Sequence, residues 1–262
     1  RGSSRRRASS RSRPARRSIF LALGNKPGSP PADIRVRQAM YMAINEDEII
    51  EKIMRGHAAP AAQIPDPPTI GYNPDIKRLS YDPEKAKALL VEAGYPKGFE
   101  MPLYYFAGRS YGQKETAEAV ALYLNAVGIR CKIQGIEAAQ MLAKVRAWHN
   151  DPKTEYVGVV TPPMAFLPDP TEALTTAYVS TGWGSMYFNK DLDPIIEEAR
   201  VTMDREKRGE LIKKAVRVIH EDVATVQIWA NTSVYSMKPN IEFTPTLKNR
   251  EPLMLLKDVR IR

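Results

Sequence analysis

The chain has 262 residues, of which 43% are hydrophobic and 26% are charged. This composition suits a globular domain with one sizeable core, and no apolar run approaches the about 18 residues that a membrane-spanning helix needs. The formal net charge is +9, but residues 1–18 hold eight arginines and no acidic residue, and subtracting these eight leaves +1 for residues 19–262. The basic character therefore belongs to one terminal segment, and the rest of the chain is nearly neutral, which argues against a nucleic-acid-binding fold.

Residues 1–18 consist of Arg, Ser, Ala, Pro and Gly alone, which predicts disorder because none of them can build a core. One functional interpretation of this segment is a basic arm that binds nucleic acid or anionic lipid. A twin-arginine export signal is disfavoured, because the apolar stretch after Arg17 is too short and soon reaches Gly24. We favour an artefact of cloning or gene prediction, since a GC-rich gene read in the wrong frame gives this bias.

The first predicted elements are a short strand and two helices. Residues 19–23 form an apolar run that reads as a strand followed by a turn. Asp33 has the position of a cap for a helix with one apolar face. Asn45 and Glu48 have capping-box spacing, which predicts a second, short helix through Met54.

A proline-rich loop at residues 58–80 separates these helices from the next one. Asp82-Pro83 has an N-cap residue followed by proline at the first helical position, and Gly94 gives a stop. Alternating strands and helices follow, predicted at residues 101–106, 113–127, 129–136, 138–148 and 156–161. Strand-helix-strand alternation indicates an α/β sheet.

The C-terminal part is predicted to contain two capped helices and three strands. The helices start near Asp191 and Asp204. Residues 226–230 and 233–237 read as two strands paired with each other, and a last strand is expected at 255–261.

Catalytic and metal-binding motifs are absent from the sequence. His57, His149 and His220 lie far apart and have no metal-ligand spacing. Cys131 is the one cysteine, so an internal disulfide is impossible, and a buried structural thiol is expected. The sequence contains no P-loop, no GxGxxG and no GxSxG. We therefore expect no enzyme, no metal and no cofactor.

Several sequence blocks occur together in a specific order. They are D-I-R-V-R-Q-A at 33–39 with A-I-N at 43–45, G-Y-N-P at 71–74, Y-D-P-E-K-A-K-A-L-L at 81–90 with E-A-G-Y-P-K-G-F at 92–99, P-D-P at 168–170, Y-F-N at 187–189 and the helix at 193–199. This series resembles solute-binding protein family 5, the binding components of peptide, nickel and oligosaccharide ABC importers. The resemblance covers residues 19–262.

The resemblance implies an α/β fold, the second lobe of a periplasmic-binding-protein-like (type II) protein, with the first lobe largely missing. Residues 19–232 would form this lobe, with hinge strands at 19–24 and 226–230, and residues 233–262 would return to the first lobe. We expect a truncated copy of an extracytoplasmic protein, periplasmic or at the cell surface, whose signal peptide is absent from this chain.

The implied partners are a small-molecule solute and the permease subunits of an ABC transporter, through which a monomeric binding protein contacts the membrane. No nucleic-acid partner is expected. The alternative function is a nucleic-acid-associated protein that uses the arm at residues 1–18. An enzyme ranks third, because no group of residues recommends one.

The resemblance also suggests where the solute would bind. Peptide-binding members pair the peptide ammonium with an Asp that precedes the D/N-P block, and Phe166 occupies that position here. Met164 and Phe166 would form an apolar wall, which disfavours a peptide with a free amino terminus and suits a sugar or another small solute. Further candidates, for each of which core packing is the alternative, are Trp183, Tyr187, Trp229 and Asn231.

Overall fold

The computed structural model describes residues 9–65, 69–108, 111–150, 158–162, 169–243 and 259–261, with side chains omitted at 9–17, 149–150 and 231–236. The strands are β1 (Ser9–Leu23), β2 (Ala58–Pro60), β3 (Phe99–Phe106), β4 (Ile129–Ile136), β5 (Gly158–Thr161), β6 (Thr225–Met237), β7 (Ile241–Phe243) and β8 (Val259–Ile261). The helices are α1 (Ile34–Ala43), α2 (Glu46–Lys52), α3 (Pro83–Glu92), α4 (Gln113–Ala126), α5 (Ala138–Asn150), α6 (Thr171–Tyr178), α7 (Asp193–Val201) and α8 (Arg205–Glu221).

A mixed six-stranded sheet organises the described chain. Its strand order is β2-β6-β1-β5-β3-β4, and β7 pairs with β8 in a separate ribbon. β3 is parallel to both β4 and β5, whereas β1 is antiparallel to β5 and to β6. The α/β prediction is confirmed, and β1 and β6, predicted as hinge strands, are neighbours; their hinge role stays a prediction.

Short polar side chains begin several of the helices, as their sequence positions predict. The side-chain oxygens that accept a hydrogen bond from a backbone N–H in the first turn belong to Asp33, Asn45, Asp82 and Asp204. Each such cap contributes about 1 kcal/mol to helix stability. These interactions are local in sequence, which is why the starts of α1, α2, α3 and α8 could be predicted.

The sheet is covered on both faces. Ile19, Leu21 and Leu23 point into the largest core cluster, which α1 and α4 complete. Ala22 points the opposite way, towards a second cluster that includes residues of α5. A strand buried on both faces reads as a continuous apolar run, which matches residues 19–23. No helix within the described residues is long and apolar enough to cross a membrane.

The predicted pair of C-terminal strands is wrong. Residues 225–237 form one strand, β6, which pairs along its length with β1 from Ser9↔Met237 to Ala22↔Thr225. A turn was expected near residue 232, but the chain continues there in β6, opposite a register shift between Pro14 and Ser18 of β1. The predicted domain boundary at 232/233 therefore falls inside a strand.

The predicted disorder of residues 1–18 does not extend to Ser9–Ser18, which belong to β1. Side-chain composition predicted disorder because these residues cannot form a core. Backbone hydrogen bonding to β6 requires no apolar side chain, so an Arg/Ser-rich segment can still lie in the sheet. Residues 1–8 lie outside the described part of the chain.

Candidate functional site

A pocket lies on the face of the sheet that α5 covers. It is bounded by β1, β5 and α5, by α6, and by the segments 184–187 and 224–225. Its described lining residues are Phe20, Ala22, Leu23, Phe106, Met141, Val145, Val159, Thr161, Pro162, Thr176, Ala177, Gly184, Met186, Tyr187, Ala224 and Thr225. Thr161 ends β5, and open α/β sheets bind ligands outside the carboxyl ends of their strands.

The described lining of this pocket is apolar and contains no charged side chain. Two of its threonine hydroxyls are already engaged: Thr161 Oγ1 donates to Pro162 O at 2.9 Å, and Thr225 Oγ1 lies 2.9 Å from the hydroxyl of Tyr178. The pocket therefore offers shape and apolar surface rather than a set of free hydrogen-bonding groups.

Tyr187 forms part of the wall, and its hydroxyl is fixed from behind. The Tyr187 hydroxyl donates to Asp222 Oδ2 and accepts from Asn189 Nδ2 at 3.0 Å. Burial, together with the hydrogen bond to Asp222, raises the pKa of Tyr187 well above its ordinary range. Tyr187 therefore stays un-ionised near neutral pH and acts as a fixed wall rather than a proton acceptor.

Arg37 holds the other side of the Asp222 carboxylate. Its side chain is 3% exposed and lies 2.6 Å from Asp222 Oδ1. The guanidinium also donates to the carbonyl oxygens of Pro31 at 2.8 Å and Asp222 at 2.9 Å. The blocks at 33–39 and 187–189, which are distant in sequence, thus meet at one carboxylate.

Asn25, just after β1, holds the backbone of the same wall at Met186 and Phe188. Phe188 N donates to Asn25 Oδ1 at 2.8 Å, and Asn25 Nδ2 donates to Phe188 O at 3.2 Å. A third bond joins Asn25 N to Met186 O at 3.3 Å. Residues 186–189 are therefore tied both to the end of β1 and, through Asp222, to the residues just before β6.

Among the predicted site residues that the structure describes, Tyr187 belongs to the lining of this pocket. Trp183, which is 47% exposed, precedes the lining residue Gly184. Asn231 lies in β6 with its backbone opposite Ala58, and its side chain is outside the described part. Met164 and Phe166 also lie outside the described residues.

Trp229 packs in the core, which was the alternative to solute binding in the sequence analysis. Its side chain is 0% exposed and belongs to the core cluster on the other face of the sheet. Its Nε1 donates to Thr116 Oγ1 at 3.1 Å, which satisfies the indole N–H inside the core. A solute could reach this ring only after the core had opened.

The sequence did not identify Phe20, Phe106 or Met186 as part of a site. Phe20 and Phe106 stand in strands that are buried on both faces, so no alternation of polar and apolar residues marks the side that faces the pocket. For Met186, the available signal was its position directly before the Tyr187-Phe188-Asn189 block. That position does not show which distant segments pack against it.

Titratable groups elsewhere in the described chain do not form a second site. Glu46 and Arg78 pair with side-chain exposures of 10% and 11%, and burial raises the pKa of Glu46 to about 7, although Arg78 opposes this shift. Burial also raises the pKa of Cys131 to about 12, so its thiol is protonated at neutral pH. Among the described residues, no three His, Cys, Asp or Glu side chains are grouped so as to hold a metal ion.

Comparison with known sequences gives one matching family. The model of the bacterial extracellular solute-binding proteins, family 5 Middle, matches residues 4–185. This match includes residues 4–18 of the Arg-rich segment, whose artefactual origin stays a prediction. The dipeptide-binding protein of Escherichia coli (strain K12) is 34% identical over 219 residues, which are 80% of this chain and 40% of that protein.

Solved structures agree with this match. HbpA2 from Haemophilus parasuis superposes with a TM-score of 0.82 at 19% identity, over 97% of this chain and 50% of the other. The periplasmic binding protein DppA from Helicobacter pylori, solved in complex with the peptide STSA, gives a TM-score of 0.76 at 26% identity, over 96% and 49%. The chain thus spans about half of these structures and about 40% of the length of the curated relative.

Proposed function

The chain belongs to the bacterial extracellular solute-binding proteins of family 5, and from this membership we propose that it forms most of the second lobe of an ABC-importer binding protein. The complete protein captures a small solute between two lobes and delivers it to permease subunits outside the cytoplasm. It works as a monomer, touches the membrane through the permease and catalyses no reaction.

The observation that carries the proposal is the pocket beside the end of β5. Its described lining is apolar, and Thr161 places it at the carboxyl end of a central strand. Phe20 of β1 and Thr225 of β6 both line it, so both proposed hinge strands touch the same space. Closure of a first lobe over this face would bury a solute that one wall alone leaves in water.

The proposed solute does not depend on a free α-amino group for recognition. Phe166 stands where the resemblance puts the carboxylate that pairs with a peptide ammonium. A ring edge gives a cation about 0.5–2 kcal/mol, whereas breaking a buried ion pair costs about 3–5 kcal/mol. Peptide-binding members of the family are expected to have an Asp at this position, and this chain has Phe166 instead. The difference favours a sugar or another solute that lacks a free α-amino group.

Asp169 is the nearest alternative carboxylate, and its contacts support the same conclusion. Its Oδ1 accepts from Thr171 N at 2.9 Å at the start of α6, and its Oδ2 pairs with Arg208 of α8. A carboxylate with both oxygens engaged within the lobe is a poor anchor for a solute ammonium, because that ammonium would have to displace Arg208.

The test is a thermal-shift screen of the longer, two-lobed protein against di- and tripeptides, their N-acetylated forms and oligosaccharides. We expect stabilisation by at least one solute, with no dependence on a free amino group. In the Phe166→Asp variant, preference should shift towards solutes that carry an ammonium. Stabilisation of the unmodified protein by free peptides that disappears on acetylation would contradict the assignment at Phe166.

A further inference from the structure

We infer that the pocket between β1, β5, α5 and residues 184–187 receives an uncharged, apolar group of the solute, aliphatic or aromatic, rather than a charged terminus. This inference rests on the proposed function and names the part of the solute that this lobe would hold. It is argued from the described lining alone.

The first argument for an apolar ligand group is the chemistry of the pocket lining. No charged side chain faces the pocket among the described residues, and the hydroxyls of Thr161, Thr225 and Tyr187 have partners within the protein. A charged group entering here would lose its hydration and find no counter-charge, which is unfavourable. An apolar group leaves water without losing any hydrogen bond, so its transfer is favourable.

The second argument is the shape of the pocket. Ala22, Ala177 and Gly184 are partly exposed, so the space is connected to the surface, while Phe106 and Met186 behind it are buried. Met141 and Met186 are unbranched and polarisable, and such side chains adapt to apolar groups of different outline. The pocket is thus accessible and tolerant of different apolar groups.

The third argument is that the wall formed by residues 186–189 is fixed in place. Tyr187 is held by Asp222, and the backbone at 186–188 is held by Asn25. A wall tied at both ends resists collapse into the pocket, so the volume is kept available for a ligand group. Empty space lined by apolar atoms and prevented from closing is where small apolar molecules bind in proteins.

The experiment uses the 262-residue chain with ¹³C-methyl-labelled methionines and two matched probes, toluene and benzylamine, which share a ring and differ by a charge. We expect toluene to shift the methyl signals of Met141 and Met186 in a saturable way and to leave that of Met40, in the opposite core, unchanged. Benzylamine should bind at least about tenfold more weakly.

Two phenylalanine variants complete the design. Ala177→Phe places a ring in the pocket and should lower the toluene affinity at least about tenfold, whereas Ala88→Phe, on the exposed side of α3, should leave it unchanged. If Ala177→Phe does not fold, the methyl shifts of the unsubstituted chain decide alone. Absence of saturable shifts at Met141 and Met186, equal shifts at Met40, or equal binding of benzylamine would overturn the inference.

The two proposals fail in different ways. If the longer protein binds solutes while toluene leaves both methyl signals of the chain unmoved, the apolar-pocket inference is wrong and the binding function stands. If toluene binds as expected while no solute stabilises the longer protein, the pocket is a real apolar site and the proposed function is wrong.

Discussion

Replacing Asp222 by alanine should destabilise the fold and loosen the wall of the pocket together. Asp222 bonds to Arg37 through one carboxylate oxygen and to the Tyr187 hydroxyl through the other. Its loss leaves a guanidinium that is 3% exposed without its counter-charge. Breaking a buried ion pair on one side costs about 3–5 kcal/mol.

The expected loss lies at or just below the lower limit of that range. Asp222 itself is 30% exposed, so solvent screens part of the pair, and Arg37 keeps its bonds to the Pro31 and Ala32 carbonyls. We therefore expect a fall of about 2–3 kcal/mol in the free energy of unfolding. At about 2–4 °C per kcal/mol for a chain of this size, the melting temperature should fall by about 4–12 °C.

The assay is urea denaturation followed by circular dichroism, with Asp191→Ala as the matched control. Asp191 is exposed, and its substitution should change stability by less than about 0.5 kcal/mol. Asp222→Asn should lie between the two, because it keeps an acceptor for Tyr187 but loses the charge. Equal losses for Asp222→Ala and Asp191→Ala would refute the role given to the Arg37–Asp222–Tyr187 network.

Two further predictions concern packing and pH. Gly71→Ala should cost at least about 1 kcal/mol more than Gly56→Ala: both glycines have positive φ (+79° and +73°), but a Cβ at Gly71 would lie 2.1 Å from Ile212 Cγ2, while Gly56 has nothing within 4 Å. Equal melting temperatures for the two variants would contradict this. Glu46, with its pKa raised from 4.5 to about 7, holds its proton more tightly when folded, so its contribution to stability falls as pH rises through this range. Glu46→Gln removes that dependence. In urea titrations, the free energy of unfolding of the variant minus that of the unsubstituted chain should therefore rise from pH 5 to pH 8. A difference that stays constant over this range would rule out the raised pKa of Glu46.

The elements that the sequence predicted are those whose causes are local. Asp33, Asn45 and Asp82 cap helices through backbone groups two or three residues away. The apolar run at 19–23 needs only its own residues to indicate a buried strand. In each case the physical cause and the pattern that reveals it occupy the same short stretch of chain.

The features that the sequence did not predict depend on distant partners. The length of β6 follows from its pairing with β1, more than 200 positions earlier, as in Ala22↔Thr225. The pocket is assembled from segments as far apart as Phe20 and Thr225. Tyr187 was chosen as an aromatic candidate, but its fixed orientation depends on Asp222 and, through it, on Arg37. No periodicity within one segment carries that information.

The central claim, that this chain supplies one wall of a site which a first lobe must close, is tested most directly by isothermal titration calorimetry. The same solute, taken from the thermal-shift screen, is titrated into the 262-residue chain and into the longer two-lobed protein. The account predicts one-to-one, micromolar or tighter binding to the longer protein and weak or undetectable binding to the chain alone, because a single wall leaves the solute in water. One-to-one micromolar binding to the isolated chain, or no binding of any screened solute to the longer protein, would contradict it.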